Sequence, residues 1–275
     1  AVYVNTITIP LWILAGRLAR RRVVCHVHEA ERSVSRLLRR LLVLPVRFAT
    51  RVIANSLACR ELLLEGGVRP DRITLVYNGV PLPQEVTPPR PTPAGRLVLP
   101  GRLSPRKGND VAIRAVGELR ARGHEVTLTL VGSIFPGYEW FEAKLRELAA
   151  GVEGVVFAGF QDPVAPYLQD ADVVLVPSRE EPFGNVAVEG MLAMRPVVAS
   201  DVQGLSEIVR PGVTGLLVPP DDPVALADAV ESLLTNWPQA VTMAGKAREE
   251  AEHRFSPDRY HREITAIILD DRIPD

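Results

Sequence analysis

The sequence predicts an α/β protein built from two parallel-sheet domains, and three observations carry that prediction. Short apolar runs rich in Val, Ile and Leu alternate with helical stretches along nearly all of the 275 residues. That is the pattern of strands buried on both faces and joined by crossover helices. A proline-dense stretch interrupts it: Pro81, Pro83, Pro88, Pro89, Pro91 and Pro93 place six prolines in thirteen residues, which excludes helix and central strand. The length suits two domains on a prior of about 150 residues each.

In the first half, strands are expected at Val2–Val4, Val23–Val27, Val52–Ala54 and Ile73–Val76. Helical periodicity lies between them, as at Leu37, Leu38, Leu41 and Leu42. Four strands are few for a doubly wound domain and leave a raw sheet edge, so residues 1–80 read as a partial domain whose N-terminal strands lie outside this chain. Residues 81–95 read as a stiff interdomain linker. In residues 96–250, strands are expected at Leu97–Pro100, Val126–Val131, Val155–Phe157, Val173–Val176, Val197–Ala199 and Leu216–Val218. Helices are expected at about 109–122, 138–149, 164–169, 185–194, 205–209 and 223–235, which completes a second domain. After Trp237-Pro238 come two further helices ending near Leu269. Residues 251–275 are expected to pack back on the first domain.

Composition narrows the function. Hydrophobic residues at 47% and charged residues at 24% are ordinary for a globular chain. No apolar run approaches the roughly 20 residues of a membrane span. Cys25 and Cys59 have neither metal-type spacing nor a disulfide framework, so a reduced, cytoplasmic setting is expected. The net charge of -1 conceals an asymmetry, because residues 1–60 carry eleven arginines against Glu29 and Glu31. The basic segment 32–51, with Arg36, Arg39, Arg40 and Arg47 beside a leucine stripe, reads either as an anionic-membrane contact on the inner face of the cell membrane or as an ordinary solvated helix. Nucleic acid is not expected as a partner, since aromatics make up only 5% of the chain.

Two segments can carry chemistry. The first is Gly101-Arg102-Leu103-Ser104-Pro105-Arg106-Lys107-Gly108, directly after a strand. A loop at the carboxyl end of a parallel strand is where such sheets bind ligands, and Arg102 and Lys107 supply positive charge for phosphate. The pattern is neither G-x-G-x-x-G nor G-x-x-x-x-G-K-[ST], which counts against nicotinamide dehydrogenases and P-loop kinases; a solvated basic turn is the alternative. The second is Glu181-Pro182-Phe183-Gly184-Asn185-Val186-Ala187-Val188-Glu189, where Pro182 and Gly184 make a tight entry to a helix N-terminus suited to a diphosphate. Its two carboxylates, eight residues apart, would be about 12 Å apart on a helix. That exceeds the roughly 5–9.5 Å of glycosidase pairs and fits one carboxylate at each end of an elongated ligand; plain surface charges are the alternative.

Other residues read more simply. Asp170-Ala171-Asp172 resembles a metal-binding D-x-D but sits where a helix meets a strand and reads as a cap and turn. His26 and His28 alternate on a strand and share a face, with no third metal ligand in view. His124, His253 and His261 read as surface residues, and Cys25 and Cys59 as small buried apolar ones.

Residues 96–235 closely resemble the nucleotide-binding domain of retaining glycosyltransferases of family four, which have the GT-B fold. The matching pieces are "GRLSPRKG", "LVGS", "FAGF", "ADVVLVPSREEPFGNVAVEGM", "RPVVASDVQGLSEIV" and "GVTGLLVPPDD", in family order. The E-x7-E motif with an internal F-G is the most specific of these, and "CHVHE", "VIANS" and "VYNGV" add weaker matches in the first half. The resemblance implies two Rossmann-like domains, the first incomplete here. It also assigns roles. Arg102 and Lys107 would hold the donor diphosphate and stabilise the leaving-group charge, and Glu181 would face the transferred sugar. Phe183, Gly184, Asn185 and Val186 would form the amide-presenting turn, and Glu189 would accept from ribose hydroxyls. Phe160 and Gln161 would lie in the base-binding stretch, and His28 would contact the donor sugar from the first domain. Gly190 stands where Ala is usual, Glu29 where Asp is commoner, and the family's N-terminal glycine-rich loop has no counterpart here. The chain alone is therefore expected to bind nucleotide and transfer sugar slowly or not at all.

The function this implies is transfer of a hexosyl-type sugar from a nucleoside diphosphate sugar to an acceptor hydroxyl with retention of configuration. No metal or other cofactor is required in the family. The acceptor class is a glycan, a lipid-linked or a small molecule, in glycolipid, polysaccharide or glycoconjugate synthesis. Two alternatives stand beside it: a non-catalytic nucleotide-sugar-binding module completed by another chain, with self-association through the incomplete domain, and a sugar-nucleotide epimerase on the same fold.

Overall fold

A computed structural model describes residues 1–30 and 35–270. Two compact units emerge, Ala1–Val80 with Arg254–Asp275, and Pro81–His253.

The first unit runs β1 (Val2–Val4), α1 (Pro10–Leu18), β2 (Val23–Val27), α2 (Arg36–Val43), a 3-10 turn over Leu44–Phe48, β3 (Arg51–Ala54), α3 (Leu57–Glu65) and β4 (Ile73–Leu75). The strands form a parallel sheet in the order β1-β2-β3-β4, with β1 at one edge. Every residue of β2 is buried, as its unbroken apolar run requires for an inner strand. Alternation sends Val23, Cys25, Val27, Val52 and Ala54 into one core with Ile13, Val43 and Leu63. Val24 and Ile53 point to the other face.

The leucine stripe of α2 behaves differently from a core stripe. Val43 is buried, while Leu37, Leu38, Leu41 and Leu42 are exposed, Leu37 at 70%. The basic segment is described from residue 35 onward; Arg32, Ser33 and Val34 lie outside the described residues.

The second unit runs β5 (Arg96–Pro100), α4 (Asn109–Ala121), β6 (Thr127–Val131), α5 (Glu139–Ala150), β7 (Val155–Gly159), α6 (Ala165–Asp170), β8 (Val173–Val176), α7 (Asn185–Leu192), β9 (Val197–Ser200), α8 (Gln203–Ile208), β10 (Leu216–Val218) and α9 (Pro223–Thr235), followed by α10 (Trp237–Arg254). The six strands are all parallel, in the order β10-β9-β8-β5-β6-β7. Helix α8 begins at Gln203, two residues before the run its sequence suggests.

The proline-dense stretch forms no helix or strand and is tied to the second unit. Arg90 Nη2 pairs with Asp170 Oδ1 at 2.6 Å, Trp237 Nε1 donates to the Arg90 carbonyl at 2.7 Å, and Arg195 donates to the Thr87 carbonyl at 3.0 Å. Buried Asp172 accepts the amides of Ala94 and Arg96 at 2.8 and 2.9 Å. The two carboxylates of the D-x-D pattern are therefore occupied in seating this segment.

Helix α11 (Pro257–Leu269) starts with Ser256 Oγ accepting from the Arg259 amide at 3.2 Å, and Pro257 follows the cap. Its Ile264 packs with Val24, Ile53 and Val76 on the second face of the first sheet, and Arg259 donates to the Tyr77 carbonyl at 2.6 Å. Residues 271–275, the end of the expected C-terminal segment, lie outside the described residues.

Candidate active site

The order of the second sheet creates a crevice before any side chain is considered. From β5 the chain crosses to β6 on one side, and β8 later returns to pair on the other. The loops leaving β5 and β8 diverge at that reversal, and open α/β sheets bind ligands there, outside the carboxyl ends of the strands.

Both loops are held against each other. Gly108 has φ of +67° and approaches so closely that an added Cβ would lie 1.9 Å from the Pro177 carbonyl oxygen, a place only glycine fits. The Arg179 amide donates to the Arg106 carbonyl at 2.8 Å, and Arg106 Nη1 donates to the Glu180 carbonyl at 3.0 Å. The Arg179 guanidinium grips Asp110 through two bonds of 2.9 and 3.0 Å and reaches Asp221 at 2.6 Å. Burial works against the Asp110 charge, yet the bonds from Arg179 hold its carboxyl below the ordinary range.

Within this frame Lys107 Nζ forms a close ion pair with Glu181 Oε2. Glu181 is only 8% exposed, and its other oxygen lies 3.9 Å from Arg106 Nη1. The Glu181 amide donates to Gln203 Oε1 at 2.7 Å, and its carbonyl accepts the Gly204 amide at 3.0 Å. Gly204 lies so close to the Pro182-Phe183 backbone that a Cβ would meet the Phe183 carbonyl oxygen at 2.3 Å. Helix α8 thus clamps the Glu181–Gly184 turn.

That turn opens α7. Gly184, at φ of +120°, is the N-cap and has no side chain with which to cap the helix. The positive end of α7 points into the crevice with Lys107, an arrangement that attracts an anion. Glu189 follows on α7, half-buried, with its carboxyl pushed above the ordinary range by burial and partly pulled back by Lys107. Lys107 is thereby electrostatically coupled to both glutamates of the motif.

The remaining expected residues are placed as follows. Arg102 is exposed, its guanidinium carbon 3.4 Å from the centroid of the Phe135 ring. Phe160 is 73% exposed past the end of edge strand β7, and Gln161 beside it donates to the Ala158 carbonyl at 2.8 Å. The Phe183 ring is buried, while Asn185 is exposed and Val186 half-buried.

His28 belongs to the first unit, just past β2. Its Nε2 is 2.8 Å from Asn5 Oδ1 and its Nδ1 is 3.3 Å from Asn55 Nδ2. His26 lies beneath it with ring centroids 4.0 Å apart. Burial, reinforced by the neighbouring His28, lowers the His26 imidazole to about 3, and burial lowers His28 as well, against the pull of Glu29. Among the described residues, no group of three or more His, Cys, Asp or Glu side chains could hold a metal ion.

Sequence reasoning missed four contributors: Arg106, Arg179, Gln203 and Phe135. The first two flank Lys107 and the Glu180-Glu181 pair, so proximity was a usable signal. Gln203, 22 residues beyond Glu181, and Phe135 have no local signal, because long-range packing brings them in.

Comparison with known proteins bears on the family and the fold. Residues 94–236 match the family model described as "Glycosyl transferases group 1", and residues 2–84 match "Glycosyltransferase Family 4". A D-inositol 3-phosphate glycosyltransferase of Arthrobacter sp. is 33% identical over 82% of this chain and 59% of its own length. One from Nocardioides sp. is 34% identical over 75% of this chain and 50% of its own length. The chain spans about half the length of the curated relatives it matches. Among solved structures, Anabaena HepE in complex with UDP-glucose has a TM-score of 0.89 and 29% identity, over 98% of this chain and 78% of that one. Sucrose-phosphate synthase from Thermosynechococcus elongatus has a TM-score of 0.78 and 28% identity, over 95% and 71%.

Proposed function

From the premise that the chain belongs to the group 1 glycosyl transferases, with two parallel-sheet α/β domains of the GT-B type, we propose that it is the donor-binding part of a retaining transferase that moves a hexosyl-type sugar from a nucleoside diphosphate sugar to an acceptor hydroxyl. The observation that carries this reading is the Lys107–Glu181 pair at the β5/β8 crevice, beside the start of α7. A uridine diphosphate sugar is the first donor to test, because HepE, similar along 98% of this chain, binds UDP-glucose.

In this reading the diphosphate lies against Lys107 and the first-turn amides of α7, with Arg102 adding charge from the same loop. Glu189 accepts from the ribose, Phe160 and Gln161 flank the base, and Glu181 faces the sugar. The bond between the anomeric carbon and the diphosphate oxygen breaks as the acceptor oxygen attacks from the same face. The acceptor's proton passes to the departing diphosphate oxygen, so configuration is retained with no enzyme nucleophile. Lys107 and the α7 dipole supply the charge stabilisation that this leaving group needs, and the reaction as written calls on no metal.

Helix α2 adds a partner to this reading. It carries no acidic residue, and it exposes Arg40 beside Leu37, Leu38 and Leu41, chemistry that suits the headgroup layer of an anionic bilayer and a lipid-linked acceptor. No helix among the described residues is long and apolar enough to cross a membrane.

Calorimetric titration with UDP, GDP, ADP and UDP-glucose tests the donor reading. One nucleoside diphosphate is expected to bind well below millimolar and to stabilise the fold by about 2.7 kcal/mol at 100 times its Kd. Absence of binding by all of them would overturn it. NMR of the product's anomeric proton tests retention in any transfer observed.

A further inference from the structure

Three adjacent strands of the first sheet end in polar residues on one face: Asn5 after β1, His28 after β2 and Asn55 after β3. These residues meet. Asn5 Oδ1 faces His28 Nε2 at 2.8 Å, and a carbonyl oxygen can only accept, so Nε2 must carry the proton. Asn55 Nδ2 faces His28 Nδ1 at 3.3 Å, and an amide nitrogen can only donate, so Nδ1 must be bare. The two contacts demand the same tautomer. One layer below, the Tyr3 hydroxyl lies 2.7 Å from His26 Nδ1 and 3.2 Å from Asn5 Oδ1, tying the asparagine to the sheet.

We propose that Asn5 and Asn55 are positioning residues that hold His28 as the neutral, Nε2-protonated tautomer, so that His28 meets its ligand as a hydrogen-bond donor and not as a general base. The one lone pair on the ring, at Nδ1, is occupied by Asn55. A ligand hydroxyl or ring oxygen takes the place of the Asn5 carbonyl at Nε2. The inference rests on the transferase reading for the identity of that ligand, a sugar, but not for the state of the ring.

The surroundings favour a neutral ring. Facing it are His26 from β2, itself held neutral by burial, and Asn55, which is buried and uncharged. Cys25 on β2 has its thiol pushed up to about 12 by burial and by Glu29. Burial also raises the hydroxyls of Tyr3 on β1 and Tyr260 on α11. Among the described residues, Glu29, whose carboxylate accepts the His28 amide at 3.0 Å, is the charge that pulls the other way.

Long-range proton–nitrogen correlation spectra of the 15N-labelled chain decide the matter, with the His28 signals assigned by their loss in His28→Gln. Without nucleotide, the wild-type ring is expected to show a protonated Nε2 and a bare Nδ1 at pH 7. Asn5→Asp should keep that tautomer, since a carboxylate still accepts from Nε2. Asn55→Asp should place a proton on Nδ1, because a carboxylate cannot donate to it. A wild-type ring that is Nδ1-protonated or an imidazolium at pH 7 would overturn the proposal, and so would the same tautomer in both Asp variants. If a variant fails to fold, the wild-type spectrum alone decides. Because no nucleotide is present, loss of the transferase reading would show separately, as absence of UDP binding.

Discussion

The ammonium of Lys107 and the carboxylate of Glu181, 74 residues apart in sequence, form a close ion pair whose side chains are 14% and 10% exposed. The pair is enforced from outside itself. Gly108 seats one loop on Pro177, Arg179 binds that loop through Asp110, and Gln203 with Gly204 fixes the Glu181 backbone. A diphosphate entering the crevice therefore finds Lys107 already placed, with Glu181 as the group it must share it with.

Lys107→Met should lower UDP affinity more than tenfold, since hydrogen bonds to charged groups contribute about 1.5–3 kcal/mol. It should also reduce stability by up to about 3 kcal/mol, because Glu181 is left buried with only the longer contact to Arg106 for its charge. The double variant Lys107→Met/Glu181→Gln should recover part of the stability but none of the affinity. Urea unfolding and calorimetry read the two effects separately.

Nucleoside monophosphates should bind at least tenfold more weakly than diphosphates, because both the charge of Lys107 and the start of α7 act on the phosphate chain. Equal affinity for UMP and UDP would place the phosphates elsewhere.

Glu189→Ala should weaken nucleotide binding, while Glu181→Gln should mainly lower transfer in any form of the protein that turns over. Burial raises the Glu189 carboxyl, so it takes up its proton at a higher pH than an ordinary glutamate. As pH falls through that raised value the charged acceptor for the ribose is replaced by a weaker neutral one, and affinity should fall with it. Glu189→Gln should flatten the pH profile, measured by titration between pH 5 and 8.

The first unit should lose stability as pH drops below about 6.5. His26 has its folded value lowered to about 3, chiefly by burial, so in that window the unfolded chain binds a proton the folded one refuses. Each such histidine contributes up to about 1.4 kcal/mol per pH unit, and His28 has the same sign. Thermal unfolding of wild type and His26→Phe from pH 5 to 8 should show the slope reduced in the variant.

Gly108→Ala should cost several kcal/mol, since the new Cβ would meet the Pro177 carbonyl at 1.9 Å and the residue would keep a left-handed φ. Circular dichroism melts against wild type measure it, with Gly137→Ala, where a Cβ meets nothing within 4 Å, isolating the cost of the φ.

The sequence by itself determined the elements and the motif segments. Strands Val2–Val4, Val23–Val27, Val173–Val176 and Leu216–Val218 agree to the residue, because burial on both faces leaves an unbroken apolar run that local composition reveals. Loop 101–108 and the Glu181–Glu189 segment were legible for a similar reason, since glycine, proline and charge concentrate where a strand gives way to a ligand site. Only the tertiary structure decided that β5 lies between β6 and β8, which creates the crevice, and that Lys107 rather than Arg102 pairs with Glu181 while Arg102 rests on Phe135. It also decided that Leu37 and Leu41 face outward and that Asn5 and Asn55 converge on His28. Periodicity reports how a segment is buried, which is a local property. Which segments become neighbours depends on the order in which crossovers lay strands side by side, and that order is set by packing among residues far apart in the chain.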